Sequence, residues 1–81
     1  MYMKIYNRIQ LIRAERGMSR EQLGILVGVN PQTIGFLERG DYSPSLELAF
    51  KISEVFGVSV EVLFSPKPFP SLFGGESPKD K

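Results

Sequence analysis

Apolar positions along this chain recur at helical spacing in short blocks, and a residue that starts or stops a helix marks each block edge. Met3 to Tyr6 (MKIY) alternates as a short strand does. Asn7, with Gln10 three residues on, then has the layout of a capping box opening a helix that runs to about Arg16 and stops at Gly17. Ser19 and Gln22 repeat that layout for a helix to about Val27. Asn30 and Pro31 open another, closed by Gly40. After the Ser43-Pro44-Ser45 turn, Leu46, Ala49, Phe50, Ile52 and Phe56 trace a wide apolar stripe on a fourth helix, which Gly57 ends. Ser59 can cap a fifth, single-turn helix holding Val60, Val62, Leu63 and Phe64. The pattern predicts an all-α domain of five helices over residues 1–64.

The second and third helices are the most informative pair. Only three residues separate them. Gly28 supplies the left-handed backbone that a tight turn needs, and Val29 plugs the corner. Leu23, Val27, Val29, Ile34 and Leu37 are spaced to face one side, leaving Gln32, Thr33, Gly35 and Phe36 nearer the other. Two short helices at a glycine-centred turn, one of them with a free outer face, form the layout of a helix-turn-helix.

These residues resemble the DNA-binding domain of the phage repressor and Cro family, also called the xenobiotic-response-element (XRE) family. Counted from Arg20, the fifth position is small (Gly24), the ninth is the turn glycine (Gly28), and the fifteenth and eighteenth are the apolar Ile34 and Leu37. The resemblance runs from about Asn7 to Phe64. It takes in the segment YSPSLELAFKI from Tyr42 and the ending GVSVEVLF from Gly57.

The resemblance implies a recognition helix, Pro31 onward, that enters the major groove of double-stranded DNA. Gln32 then points at base edges, where a glutamine amide pairs bidentately with adenine. Thr33 and Asn30 lie beside phosphate, although each can equally serve as a cap. Phe36, one turn beyond Gln32, either touches a thymine methyl or turns inward toward Tyr42. Gly35 allows close approach of DNA, and neither it nor Pro31 offers a hydrogen-bonding side chain, so base contacts from this helix are sparse and DNA shape carries more of the specificity. Arg20 stands where the family usually has a glutamine that contacts phosphate and braces the recognition helix. Arginine keeps the phosphate role, and the brace is what the exchange puts at risk. Arg13 and Glu38 match a pair that forms an internal salt bridge in some family members.

Charge refines this picture more than composition does. The net charge is only +1. It is divided, however: residues 1–39 carry +3, with Lys4, Arg8, Arg13, Arg16, Arg20 and Arg39 as the bases, and residues 40–64 carry −3. A basic half bearing the two-helix motif suits phosphate, and adds Arg8 or Arg16 to Arg20 as phosphate contacts. The absence of histidine and cysteine removes the commonest general base, the thiolate ligands and any disulfide framework, so neither metal nor cofactor is expected and an enzyme is disfavoured. With no membrane-length apolar run and no signal-peptide pattern, the expected location is a reducing cytoplasm.

Ser65 to Lys81 holds four of the six prolines and paired glycines, and reads as a tail. Met3, Ile5, Leu11, Val62, Phe64, Phe69, Leu72 and Phe73 are more apolar residues than one small core covers. Surplus apolar surface predicts a homodimer whose interface draws on Met3, Ile5, Leu63, Phe64 and Phe69. The resemblance to short family members that dimerise through this end implies a small two-stranded element pairing Met3–Tyr6 with residues near 64–67, where Pro66 and Pro68 restrict the second strand to an edge or a turn. The alternative is a tail folded over its own domain. Two function classes share the motif: a homodimeric repressor at a pseudo-palindromic operator, and an antitoxin-like DNA-binding protein that also neutralises a partner, with Phe69 to Phe73 as the gripping segment.

Overall fold

The computed structural model describes residues 3–70. Within them the chain forms β1 (Tyr6–Asn7), α1 (Ile9–Glu15), α2 (Arg20–Val27), α3 (Pro31–Arg39), α4 (Leu46–Phe56), α5 (Val60–Leu63) and β2 (Phe64–Ser65). The five expected helices are present, and a small antiparallel sheet pairs Tyr6 with Ser65 and Asn7 with Phe64. Leu72 and Phe73 lie outside the described residues.

Starts and stops follow the local chemistry closely. At α2 the Ser19 hydroxyl accepts from the Gln22 amide at 3.0 Å while the Gln22 carboxamide accepts from the Ser19 amide at 2.8 Å, a complete capping box. Ser45 and Ser59 accept from Leu48 and Val62 in the same way at α4 and α5. Gly28 ends α2 with φ at +81°. The box expected at Asn7 and Gln10 does not form. Asn7 belongs to β1, α1 begins two residues later, and the Asn7 side chain accepts from the Ile9 amide while donating to the Leu37 carbonyl at 2.8 Å. Its carboxamide oxygen still takes the first amide of α1, while its NH2 group ties the N-terminus to the end of α3.

The core lies where all five helices meet: Ile9 and Ile12 from α1, Leu23 and Val27 from α2, Ile34 and Leu37 from α3, Leu48, Ile52 and Phe56 from α4, and Leu63 from α5. Val29 packs against it from the turn, as expected. The α4 stripe is turned from the expected one. Leu48, Ala49, Ile52 and Phe56 face inward, whereas Leu46 and Phe50, one turn apart, remain 71% and 54% exposed. Seven of eleven α4 residues are aliphatic or aromatic, more than one core-facing stripe can bury, so the remainder line its outer flank.

Leu63 also changes role. It is fully buried in the core of its own chain, which removes it from any dimer interface, because the single turn of α5 sends Leu63 inward and Val62 out. The sheet is shifted relative to the expected pairing of Met3–Tyr6 with residues 64–67. Pro66 has no amide hydrogen to continue the ladder, and pairing stops at Ser65. Ser65, first residue of the expected tail, is thus part of the sheet, and Phe69 beyond it lies with its ring 4.1 Å from the Arg8 guanidinium.

Candidate nucleic-acid interface

Helices α2 and α3 meet at a turn with little room. The Gly24 carbonyl accepts from the amides of Gly28 and Val29 at 2.7 and 2.9 Å. A Cβ on Gly24 would stand 2.5 Å from the Val29 carbonyl oxygen, which explains the small residue at this position. The angle between the helices is set by backbone contact here.

A second lock closes the far end of the pair. The Glu38 carboxylate, its side chain only 1% exposed, takes Arg13 Nε on Oε2 at 2.7 Å and Arg13 Nη2 on Oε1 at 3.3 Å. Arg20 adds its Nε and Nη2 to Oε1 at 3.0 and 2.9 Å. The third donor group of Arg13, Nη1, binds the Met18 carbonyl at 2.9 Å. The bridge anticipated between Arg13 and Glu38 is therefore one arm of a triad joining α1, α2 and α3. The brace put at risk by arginine at position 20 is retained: the guanidinium donates to Glu38 instead of an amide doing so. An acidic residue in the last turn of a helix opposes the helix dipole, and two guanidinium groups offset that cost.

With its inner face locked, α3 presents Gln32 and Phe36 outward, both exposed. Asn30 is exposed, takes the extended conformation of an N-cap, and makes no side-chain cap bond, so its amide is not engaged in capping. Thr33 and Pro31 are half-buried beside it. Phe36, 46% exposed, takes neither expected position exclusively: it borders a shallow notch with Thr33, Asp41 and Tyr42 while keeping much of its ring in solvent. Gly35 departs from expectation. It is buried, because the guanidinium groups of Arg20 and Arg39 cover it.

The remaining basic candidates lie elsewhere. Arg8 and Arg16 line a groove between α1 and α5 with Leu11, Val58, Val62 and Phe69. Arg16 donates to the Phe56 carbonyl at 2.7 Å, neutralising the C-terminus of α4, and Arg8 faces Phe69. Neither touches the Glu38 triad or the notch beside Phe36, so their expected role as phosphate contacts gains no support from this arrangement. Both sit in a basic half by sequence, but they flank α1, one at each end, and are engaged by Phe69 and by the Phe56 carbonyl. Sequence reasoning missed Arg39, which continues the stripe Gln32, Gly35, Phe36 at helical spacing and lies over the Phe36 ring at 5.1 Å. That spacing was a usable signal.

Residues 9–63 match the family model described as helix-turn-helix. The chain belongs to this family, in its XRE-type branch. It is 53% identical over 57 residues to an HTH-type transcriptional regulator of Archaeoglobus fulgidus, covering 70% of this chain and 81% of that one. It is 32% identical over 59 residues to the cryptic phage CTXphi transcriptional repressor RstR of Vibrio cholerae, covering 73% and 53%. Among solved structures, the restriction-modification controller protein C.AhdI of Aeromonas hydrophila superposes with a TM-score of 0.64 at 27% identity, covering 68% of this chain and 83% of that one. Family membership makes the chain a transcriptional regulator with a helix-turn-helix DNA-binding domain. No helix among the described residues is long and apolar enough to cross a membrane.

Proposed function

We propose that this regulator is a homodimeric, sequence-specific repressor of the cytoplasm, which occludes a promoter by setting α3 of each subunit into the major groove of a pseudo-palindromic operator. The observation that carries the reading is the exposed Gln32 in the first turn of a helix whose other face is held by the Gly24 contact and the Glu38 triad. A base-reading side chain gains specificity when its helix cannot shift to accommodate a wrong base. Asn30, Thr33 and Arg20 lie around it as phosphate contacts, while Phe36 offers an apolar edge to a thymine methyl.

Dimerisation is supported by apolar surface on the side of the sheet. Met3 is 60% exposed, and Leu11 and Val62 remain exposed as well. Phe69 is half-buried beside Leu11 and Val62, and Ile5 and Phe64 are half-buried as well. In this reading residues 1–64 bind DNA, and the segment from Ser65 adds contacts to the dimer.

The test is Gln32→Ala, titrated against duplex DNA recovered by selection from a random pool and against random duplex. The expected loss is about 1–3 kcal/mol on the selected site and far less on random DNA. An unchanged ratio of the two affinities refutes base reading by Gln32.

A further inference from the structure

Arg20 comes from α2 and Arg39 from the end of α3, yet their guanidinium groups converge on one spot of the recognition helix. Around the position a Cβ would take on Gly35, Arg20 Nη1 is 3.5 Å away and Arg39 Nη1 3.6 Å away, so the two nitrogens stand within about 7 Å of each other. Each guanidinium is gripped from its other edge. Arg20 gives Nε and Nη2 to Glu38, and Arg39 gives Nε to Asp41 at 3.1 Å while lying over the Phe36 ring. Neither Nη1 has a hydrogen-bond partner among the described residues. The two carboxylates thus orient the cations without covering the point where they meet. Gly35 itself is buried beneath the two guanidinium groups, and with the Arg20 and Arg39 side chains 43% and 53% exposed, an anion meets them from their solvent side.

We propose that Arg20 and Arg39 form a clamp that takes one phosphate of the DNA backbone between them over Gly35. The clamp rests on the DNA-binding reading and adds Arg39 to it. Charge-assisted N–H to oxygen bonds span about 2.7–2.9 Å, so two nitrogens within about 7 Å can each reach one non-bridging oxygen of a single phosphodiester. Like charges held this close repel one another until an anion enters, which favours occupancy by phosphate over a neutral base edge. The position fits the same conclusion. Arg39 is a full two turns beyond Gln32, near the end of α3, whereas base edges are met by the N-terminal residues of a recognition helix.

The experiment compares wild type, Arg39→Ala, Arg20→Gln and the double variant on the selected duplex and on random duplex, across a salt series. Arg39 supports no core contact, so Arg39→Ala serves as the folded reference, with a thermal melt to verify it. Arg20→Gln keeps a donor within reach of Glu38. Both single variants are expected to weaken binding to the two DNAs by a similar factor, about five- to tenfold. The double variant should lower the salt slope by about 0.9, the value for one phosphate, and not by about 1.8. Placing uncharged methylphosphonate at each backbone position in turn should reveal one position that weakens wild type and no longer matters to either single variant. An unaffected Arg39→Ala, separate positions for the two arginines, or a loss confined to the selected sequence overturns the clamp. Failure of wild type to bind any duplex instead overturns the DNA-binding reading itself.

Discussion

Arg13→Ala should be the most damaging single truncation in the α2–α3 unit. It removes three donors at once: two from Glu38 and one from the Met18 carbonyl. Glu38 is 1% exposed, so water cannot replace them, and a buried charge stripped of its partner costs about 3–5 kcal/mol. Arg20 remains on Oε1 and holds the loss toward the lower end of that range. A domain of 81 residues has about 4–12 kcal/mol of stability in all. Since about 1 kcal/mol moves the midpoint of so small a domain by about 4–8 °C, thermal unfolding should fall by at least about 12 °C. Arg20→Ala should cost only about 1–2 kcal/mol, because that side chain is 43% exposed and Arg13 still pairs both carboxylate oxygens. Replacing both charges, as Arg13→Met with Glu38→Leu, should recover most of the loss, since no buried charge is left and the exposed Arg20 is hydrated. Calorimetric melts of the four proteins decide the matter. If Arg13→Ala costs no more than Arg20→Ala, or if the double replacement is as damaging as the single one, Glu38 is not a buried charge that depends on Arg13.

Gly24→Ala should lower the melting temperature even though alanine is the better helix former by about 1 kcal/mol. The new Cβ meets a backbone oxygen at 2.5 Å, and overpacking of this kind costs about 1–3 kcal/mol; an unchanged or higher midpoint would show that the turn yields without strain. The DNA selected from a random pool should be pseudo-palindromic with half-site centres about one helical turn, roughly 10 bp, apart. A single asymmetric site together with a monomeric mass by light scattering would end the dimer proposal.

The helix boundaries were legible wherever one residue's local chemistry was decisive. Ser19, Ser45 and Ser59 each found the amide that lies three residues on, and Gly28 took the backbone conformation only glycine adopts cheaply. Asn7 was misread because its side chain had two outlets, and the tertiary one, the Leu37 carbonyl, is invisible to local pattern. The same limit separates Leu46 and Phe50 from Leu48. All three suit an apolar stripe, and only the position of the other helices selects which flank of α4 is covered. In the site, Arg13 and Glu38 came from the resemblance and held, while the third member, Arg20, could not be placed on Glu38 without knowing how α2 crosses α3.

The distribution of charge by sequence overstates what DNA would meet. Of the bases among residues 1–39, Arg13 is consumed by Glu38 and Met18, and Arg16 by the end of α4. Arg8 faces Phe69, and Lys4 lies over the Tyr6 ring at 5.1 Å. Arg20 and Arg39 lie beside α3, each already sharing charge with a carboxylate, and Lys4 reaches the Gly40 cap at its end. A surface with so few uncommitted cations binds random DNA weakly, because non-specific affinity is nearly all phosphate neutralisation. Discrimination then benefits twice. In the proposed reading Gln32 adds affinity only on the right sequence, and a low background would leave that gain undiluted by competing sites. Adding lysines around α3 would therefore raise affinity for every duplex while narrowing the ratio on which a repressor depends.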